Sequence, residues 1–153
     1  TSDSEILFSN GNIKSRWLFS PQNQKFYDIT SKSIESGMRE AESDIGTSDS
    51  ERMKYFGNTG VWIYSDKAGK LKFTTSYIQP LNQIFLKKGW NIVSITPEFV
   101  GYYIYDIKGT CEFEKIYGWD AGQQKWAWKA FSSVGFAQVI KVSNDCYLGL
   151  NTQ

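Results

Sequence analysis

Two stretches of the chain alternate aromatic with other residues and then break at a polar turn. Trp17 and Phe19 alternate, a polar segment holding Pro21 follows, and the aromatic pattern resumes at Phe26. Tyr117 and Trp119 repeat the arrangement, a segment holding Gly122 follows, and Trp126 and Trp128 resume it. Period-two alternation on both sides of a Pro- or Gly-containing turn predicts a β-hairpin in each place. The stretches align without a gap at an offset of 100 positions: Trp17 falls on Tyr117, Phe19 on Trp119, Ser20 on Asp120, Gln24 on Gln124, Lys25 on Lys125 and Phe26 on Trp126. A repeat at fixed spacing is a fold-level signal.

A second echo follows each hairpin. Val61 to Ser65 resembles Gln138 to Val142 at an offset of 77, with Trp62 on Val139 and Ile63 on Ile140. Both run into a polar turn, 66–70 and 143–145, and both are expected to finish in a short strand, 71–73 and 147–150. The first copy therefore holds 23 more residues between its hairpin and its closing strands. They lie within 31–53, where Ile34, Met38, Ala41 and Ile45 sit at helical spacing. One or two short helices over the sheet are expected, with a mobile tip at 46–50 and a solvated loop as the alternative. Ser48 with Glu51 has the spacing of a capping box ahead of Met53 and Phe56.

The second copy carries an additional strand–turn–strand pattern from Phe85 to Ile95, ended by Pro97 and Gly101 and followed by an aromatic run, 102–107. The first copy starts near Glu5 with no counterpart upstream. Three explanations stand: a cut inside a module, a unit of fewer strands, or a partner chain that supplies the missing strand along an open edge. The expected fold is mainly β with a short helical insertion, two unequal copies of an antiparallel β unit. The first occupies 1–78, with its insertion at about 31–56, and the second 79–153.

Composition agrees with strands: 16% of residues are aromatic, a supply suited to pleated, half-buried surfaces. The net charge of +1 lacks the basic excess of a nucleic-acid binder. No apolar run approaches the roughly 20 residues that span a bilayer. The start at Thr1 rather than Met leads us to expect a removed upstream segment, a signal peptide or an anchor, and membrane attachment only through it.

Histidine is absent, which removes the commonest general base and the commonest metal ligand. Two cysteines cannot make a four-thiolate zinc site, and Cys111 and Cys146 are too far apart for a CxxC motif. Counting leaves a disulfide or two unrelated buried thiols. The repeat separates them. Cys111 falls on Gly11 and Cys146 on Gly69, so both cysteines are replaced together in the first copy, as a bridge requires and independent thiols do not. A Cys111–Cys146 disulfide is expected.

Candidate chemistry is sparse. No GxxxxGK[ST] or GxGxxG loop occurs. Glu112 and Glu114 would share a strand face if alternation held, an arrangement a glycosidase pair needs and a solvated face also gives. Asp66, and separately Asn144 with Asp145, offer too few oxygens for calcium and suit turns. No metal or cofactor is expected. Tyr117, Trp119, Trp126 and Trp128 form a candidate aromatic platform for sugar rings, against the plainer reading that they pack on the core or the disulfide. Trp62 and Trp90 read as core, and Lys87 and Lys88 as turn-solvating.

Gly89, Trp90, Asn91 and Ser94, followed by Tyr117 to Asp120, Lys125, Trp126 and the late 138–142 strand, resemble a recurrent module of secreted archaeal and bacterial surface proteins, S-layer-like proteins and pilin-associated ectodomains. The second copy matches the Gly-Trp-Asn opening of that module. It departs at the close, where Ala137, Gln138 and Val139 replace Gly-Tyr-Trp, whereas the first copy keeps Gly60, Val61, Trp62 and Ile63 there. The resemblance implies an extracellular, β-rich, structural or adhesive protein, non-enzymatic, a cell-surface or filament subunit. Its implied partners are itself or other surface proteins, with strand addition at the first unit. The alternative is a carbohydrate- or surface-ligand-binding module that uses exposed aromatics.

Overall fold

The computed structural model describes residues 12–48, 51–71, 77–128 and 133–151. β1 (Ile13–Ser20) and β2 (Lys25–Asp28) form the first hairpin; α1 (Ile34–Ile45), α2 (Arg52–Phe56) and β3 (Val61–Ser65) follow. Next come β4 (Phe85–Leu86), β5 (Gly89–Ser94), β6 (Phe113–Asp120), β7 (Lys125–Trp128), β8 (Ala137–Val142) and β9 (Cys146–Tyr147). The protein is mainly β, and all strand pairs are antiparallel. The sheets run β2-β1-β3, β4-β9 and β5-β8-β6-β7.

The ladders recur at the spacings of the sequence echo. Trp17 pairs with Asp28 and Phe19 with Phe26, while Tyr117 pairs with Trp128 and Trp119 with Trp126. Arg16 pairs with Ile63 and Trp17 with Trp62, while Ile116 pairs with Ile140 and Tyr117 with Val139. The register slips between Ile13 and Ser15 in one ladder and between Phe113 and Lys115 in the other. Each hairpin turn places a glutamine in the left-handed region, Gln24 at φ 57° and Gln124 at φ 51°. This conformation is costly for a residue with a Cβ. In both, the side-chain amide donates back across the turn, to Pro21 O at 2.7 Å and to Ala121 O at 2.6 Å, which offsets that cost.

Two cores result. Leu18, Tyr27 and Val61 on one face of the first sheet pack against Ile34, Met38 and Ala41 of α1 and Tyr55 and Phe56 of α2. The insertion is thus helical, and its apolar stripe covers the sheet. Ser33 caps α1 by accepting from Ser36 N. Glu51 holds the N-cap position of α2 without a side-chain cap bond, and 49–50 of the expected Ser48–Glu51 capping box lie outside the described residues. Arg52 of α2 makes a two-pronged bond to buried Glu42 of α1, at 2.9 and 3.0 Å. Of the expected tip, 49–50 lie outside the described residues, as do 72–73 of the expected strand after β3.

The second core gathers Val93, Ile116, Ile140 and Val142 from the larger sheet with Leu86, Phe99, Ile104, Ile107 and Leu148. Much of this wall is irregular. The aromatic run 102–107 ends in a 3-10 turn, Ile104–Ile107, and the strand–turn–strand segment is no hairpin: β4 pairs with β9 and β5 with β8. The Cys111–Cys146 disulfide is present, buried within this core, and ties the entry of β6 to β9. Asn144 and Asp145 serve turns beside it. Asn144 accepts from Glu112 N and donates to Thr110 O. Asp145 accepts from Lys87 Nζ and from Lys88 N, each at 2.8 Å, so Lys87 is ion-paired rather than merely solvating. The Lys87 ammonium holds the Asp145 carboxyl below its ordinary range, helped by the Lys88 N–H.

A disulfide closing this 35-residue separation restricts the unfolded chain. Replacing both cysteines by serine should lower unfolding free energy by about 3–4 kcal/mol in the loop-entropy model, read from urea midpoints of oxidised wild type and variant. An unchanged midpoint would refute this role for the bridge.

Candidate aromatic surface site

Tyr117, Trp119, Trp126 and Trp128 share one face of the larger sheet because strand side chains alternate and the pairs Tyr117–Trp128 and Trp119–Trp126 lie directly opposite. They do not make one flat platform. The four rings divide between two neighbourhoods.

Trp119 and Trp126 meet Trp62 of β3. Ring centroids are 5.0 Å apart for Trp62–Trp119, 5.5 Å for Trp62–Trp126 and 5.1 Å for Trp119–Trp126, with tilted or edge-on planes. Such T-shaped contacts match ring edges to ring faces. Trp62 is therefore not in either buried core; it is half-buried and joins the two sheets. The sequence carried a cue to this, since Trp62 aligns with Val139, a position on the same face as Tyr117.

Backbone contacts reinforce the junction. Gly60 N donates to Ile92 O at 3.0 Å, and Ser94 N donates to Asn58 O at 2.9 Å. Gln24 reads the main chain of Trp90 in both directions, accepting from its N–H at 2.7 Å and donating to its carbonyl at 3.0 Å. Trp90, expected in the core, is half-buried on the outer face and stacks on Tyr117 with centroids 6.3 Å apart.

Tyr117 and Trp128 line the second neighbourhood, a shallow groove of about 120 Å³ with Tyr105, Phe113, Glu114 and Lys115. Trp128 is 66% exposed and Tyr105 56%. Sequence reasoning missed Tyr105 and Phe113. The first lies in the aromatic run before β6, and the second is turned by the register slip.

That slip also corrects the carboxylate pair. Glu112 precedes β6, and Glu114 is the extra residue at the slip, so strict alternation does not join them. Glu114 instead lies 3.2 Å from Lys141, whose ammonium also sits 5.8 Å from the Trp90 ring centroid. The ladder places Lys115 opposite Lys141, and Glu114 offsets that like-charge pairing. A second recess, between α2 and β4–β5, offers about 20 Å³, room for about one water. Among the described residues no cluster of three or more metal-ligating side chains occurs.

No protein-family model, curated protein or solved structure matches the chain.

The two neighbourhoods should respond differently to truncation. Trp62→Ala opens the junction and should cost about 2 kcal/mol, below the range for fully buried tryptophans because the ring is half-buried. Trp128→Ala should change stability by no more than about 0.5 kcal/mol. Urea unfolding of both variants checks this, and equal losses would contradict the division.

Proposed function

We propose that this chain is an extracellular structural or adhesive surface module, a cell-surface or filament subunit ectodomain that acts through contact surfaces rather than catalysis. The observation that carries the reading is the outer edge of β3, which ends the order β2-β1-β3 and has no strand partner among the described residues. An exposed strand edge presents backbone donors and acceptors that another chain can complete. Two further features support it. The disulfide is typical of proteins from oxidising compartments. Glu114 in the groove is ion-paired with Lys141, and Glu112, two residues before it, lies 3.9 Å from Lys108. No helix among the described residues is long and apolar enough to cross a membrane.

Antibody against the folded chain should label unpermeabilised source cells, and alkylation without reduction should leave both cysteines unmodified in the native protein. Recovery only from lysed cells, with two alkylated cysteines, would overturn the reading.

The exposed Trp128–Tyr105 groove favours a second reading, a module that stacks sugar rings. The apolar face of a pyranose suits an aromatic wall, and Glu114 and Lys115 would meet its hydroxyls. Under this reading a polysaccharide panel shifts tryptophan fluorescence, and Trp128→Ala abolishes the shift while Trp126→Ala leaves part of it. A shift that survives Trp128→Ala would exclude this groove.

A further inference from the structure

The two sheets treat equivalent strands differently. β8 is bonded on both sides, to β6 and to β5. β3 stands at the corresponding position, 77 residues earlier, and pairs with β1 alone among the described residues. The partner that β8 has and β3 lacks is a six-residue strand, Gly89–Ser94.

The relation between the sheets says where such a strand would lie. Gly60 and Ala137 are equivalent at the offset of 77, and they touch each other: a Cβ on Gly60 would stand 2.6 Å from that of Ala137. Contact between equivalent positions is the mark of a two-fold relation, here an approximate one within a single chain. Under that relation the clasp of Gln24 on Trp90 has a counterpart centred on Gln124. Trp90 pairs with Lys141 of β8, and Lys141 corresponds to Tyr64 of β3. The counterpart clasp therefore addresses a residue opposite Tyr64.

Gln124 is set for it. Its φ of 51° and its amide bond to Ala121 O repeat those of Gln24. Its Oε1, the atom that in Gln24 accepts from Trp90 N, accepts no hydrogen bond among the described residues. Charge points to the same edge. Outer strands are commonly guarded by charged side chains. β2 carries Lys25 and Asp28 and β7 carries Lys125, but β3 carries no charge from Val61 to Ser65. Val61 packs against the first core while only partly buried, and Tyr64 is 55% exposed.

We propose that β3 accepts an antiparallel strand from another polypeptide, patterned as Gly-aromatic-polar-aliphatic-aliphatic-small like Gly89–Ser94, with its glycine opposite Ser65 and its last residue opposite Gly60. Gln124 clasps the main chain of the aromatic residue. Glycine is favoured before it, since Gly89 holds φ 106°, where a side chain is strained, and a Cβ there would also displace the Gln24 amide. The incoming fifth residue covers Val61 and completes the first core. Strand addition of this kind draws affinity from main-chain bonds and specificity from alternate side chains. The proposal rests on the reading of the chain as an assembling surface module and names the partner's chemistry.

A fluorescein-labelled peptide with the sequence of residues 86–95 is the probe, titrated into the whole oxidised protein. Saturable anisotropy is expected, with amide exchange slowed at 61–65. Gln124→Ala should weaken binding about tenfold, as loss of two main-chain hydrogen bonds implies, with an unchanged near-ultraviolet dichroism spectrum. N-methylation of the peptide's tryptophan amide should weaken wild-type binding in the same way, which keeps the test informative if the variant folds poorly. Absence of binding, no protection at 61–65, or binding sensitive to Gln24→Ala but not to Gln124→Ala would overturn the proposal. A surface-exposed, disulfide-bonded protein that ignores the peptide defeats this inference alone. A cytosolic, reduced one defeats the functional reading, whatever the peptide does.

Discussion

At Gly60 two sheets approach more closely than any side chain permits. A Cβ there would stand 2.6 Å from that of Ala137 and 2.7 Å from Ile92 Cγ2. Because the position is bare, Gly60 N reaches Ile92 O, Asn58 O receives Ser94 N, and β5 is bonded along both edges. Trp62, two residues on, is thereby delivered against Trp119 and Trp126. The aromatic junction, the placement of β3 and the division of the outer face into a packed half and a grooved half all follow from this contact.

The two cores are closed by different means, and the difference follows from their walls. The first sheet is covered by regular helices whose own hydrogen bonds are local and whose mutual position is fixed by the Arg52–Glu42 pair. Glu42 is buried, so its charge is retained at a cost that the two-pronged guanidinium contact offsets. The second sheet is covered by 3-10 turns and two-residue strands, which hold few ladder bonds. A wall of that kind has little cooperativity of its own, and the disulfide, the Asn144 bridges and the Lys87–Asp145 pair concentrate there. A helical cover on one side and a covalent tie on the other are two solutions to one problem, a sheet with a single face to bury.

Strand pairing and the disulfide were legible because they rest on patterns that survive without coordinates: period-two alternation, a fixed offset, and the joint replacement of two cysteines. The helical insertion was legible from Ile34, Met38 and Ala41, whose spacing matches the stripe that meets the sheet. The misread positions are those where geometry departs from the ideal. A register slip at Glu114 broke the face that would have paired it with Glu112. Trp62 and Trp90 were misplaced because large aromatic residues in strands default to a core, whereas here Trp62 is half-buried at the approach between the sheets and Trp90 is half-buried on the outer face against Tyr117. The four candidate platform residues share a face, but their rings are not coplanar, since ring orientation depends on that contact and no periodicity encodes it.

The same junction links the edge of β3 to the groove beside Trp128. Trp62 lies on the strand with the open edge, and its ring touches Trp126, which is two residues from groove-lining Trp128 on β7. Fixing β3 between two neighbours would restrict Trp62, and tightly packed rings pass such restriction to their contacts. Among the described residues β7 is an outer strand of the larger sheet. The open edge of β3 and the groove beside Trp128 are therefore different surfaces of one molecule. They lie on different strands joined by one aromatic layer, in which Trp62 of β3 meets Trp119 and Trp126 of the larger sheet.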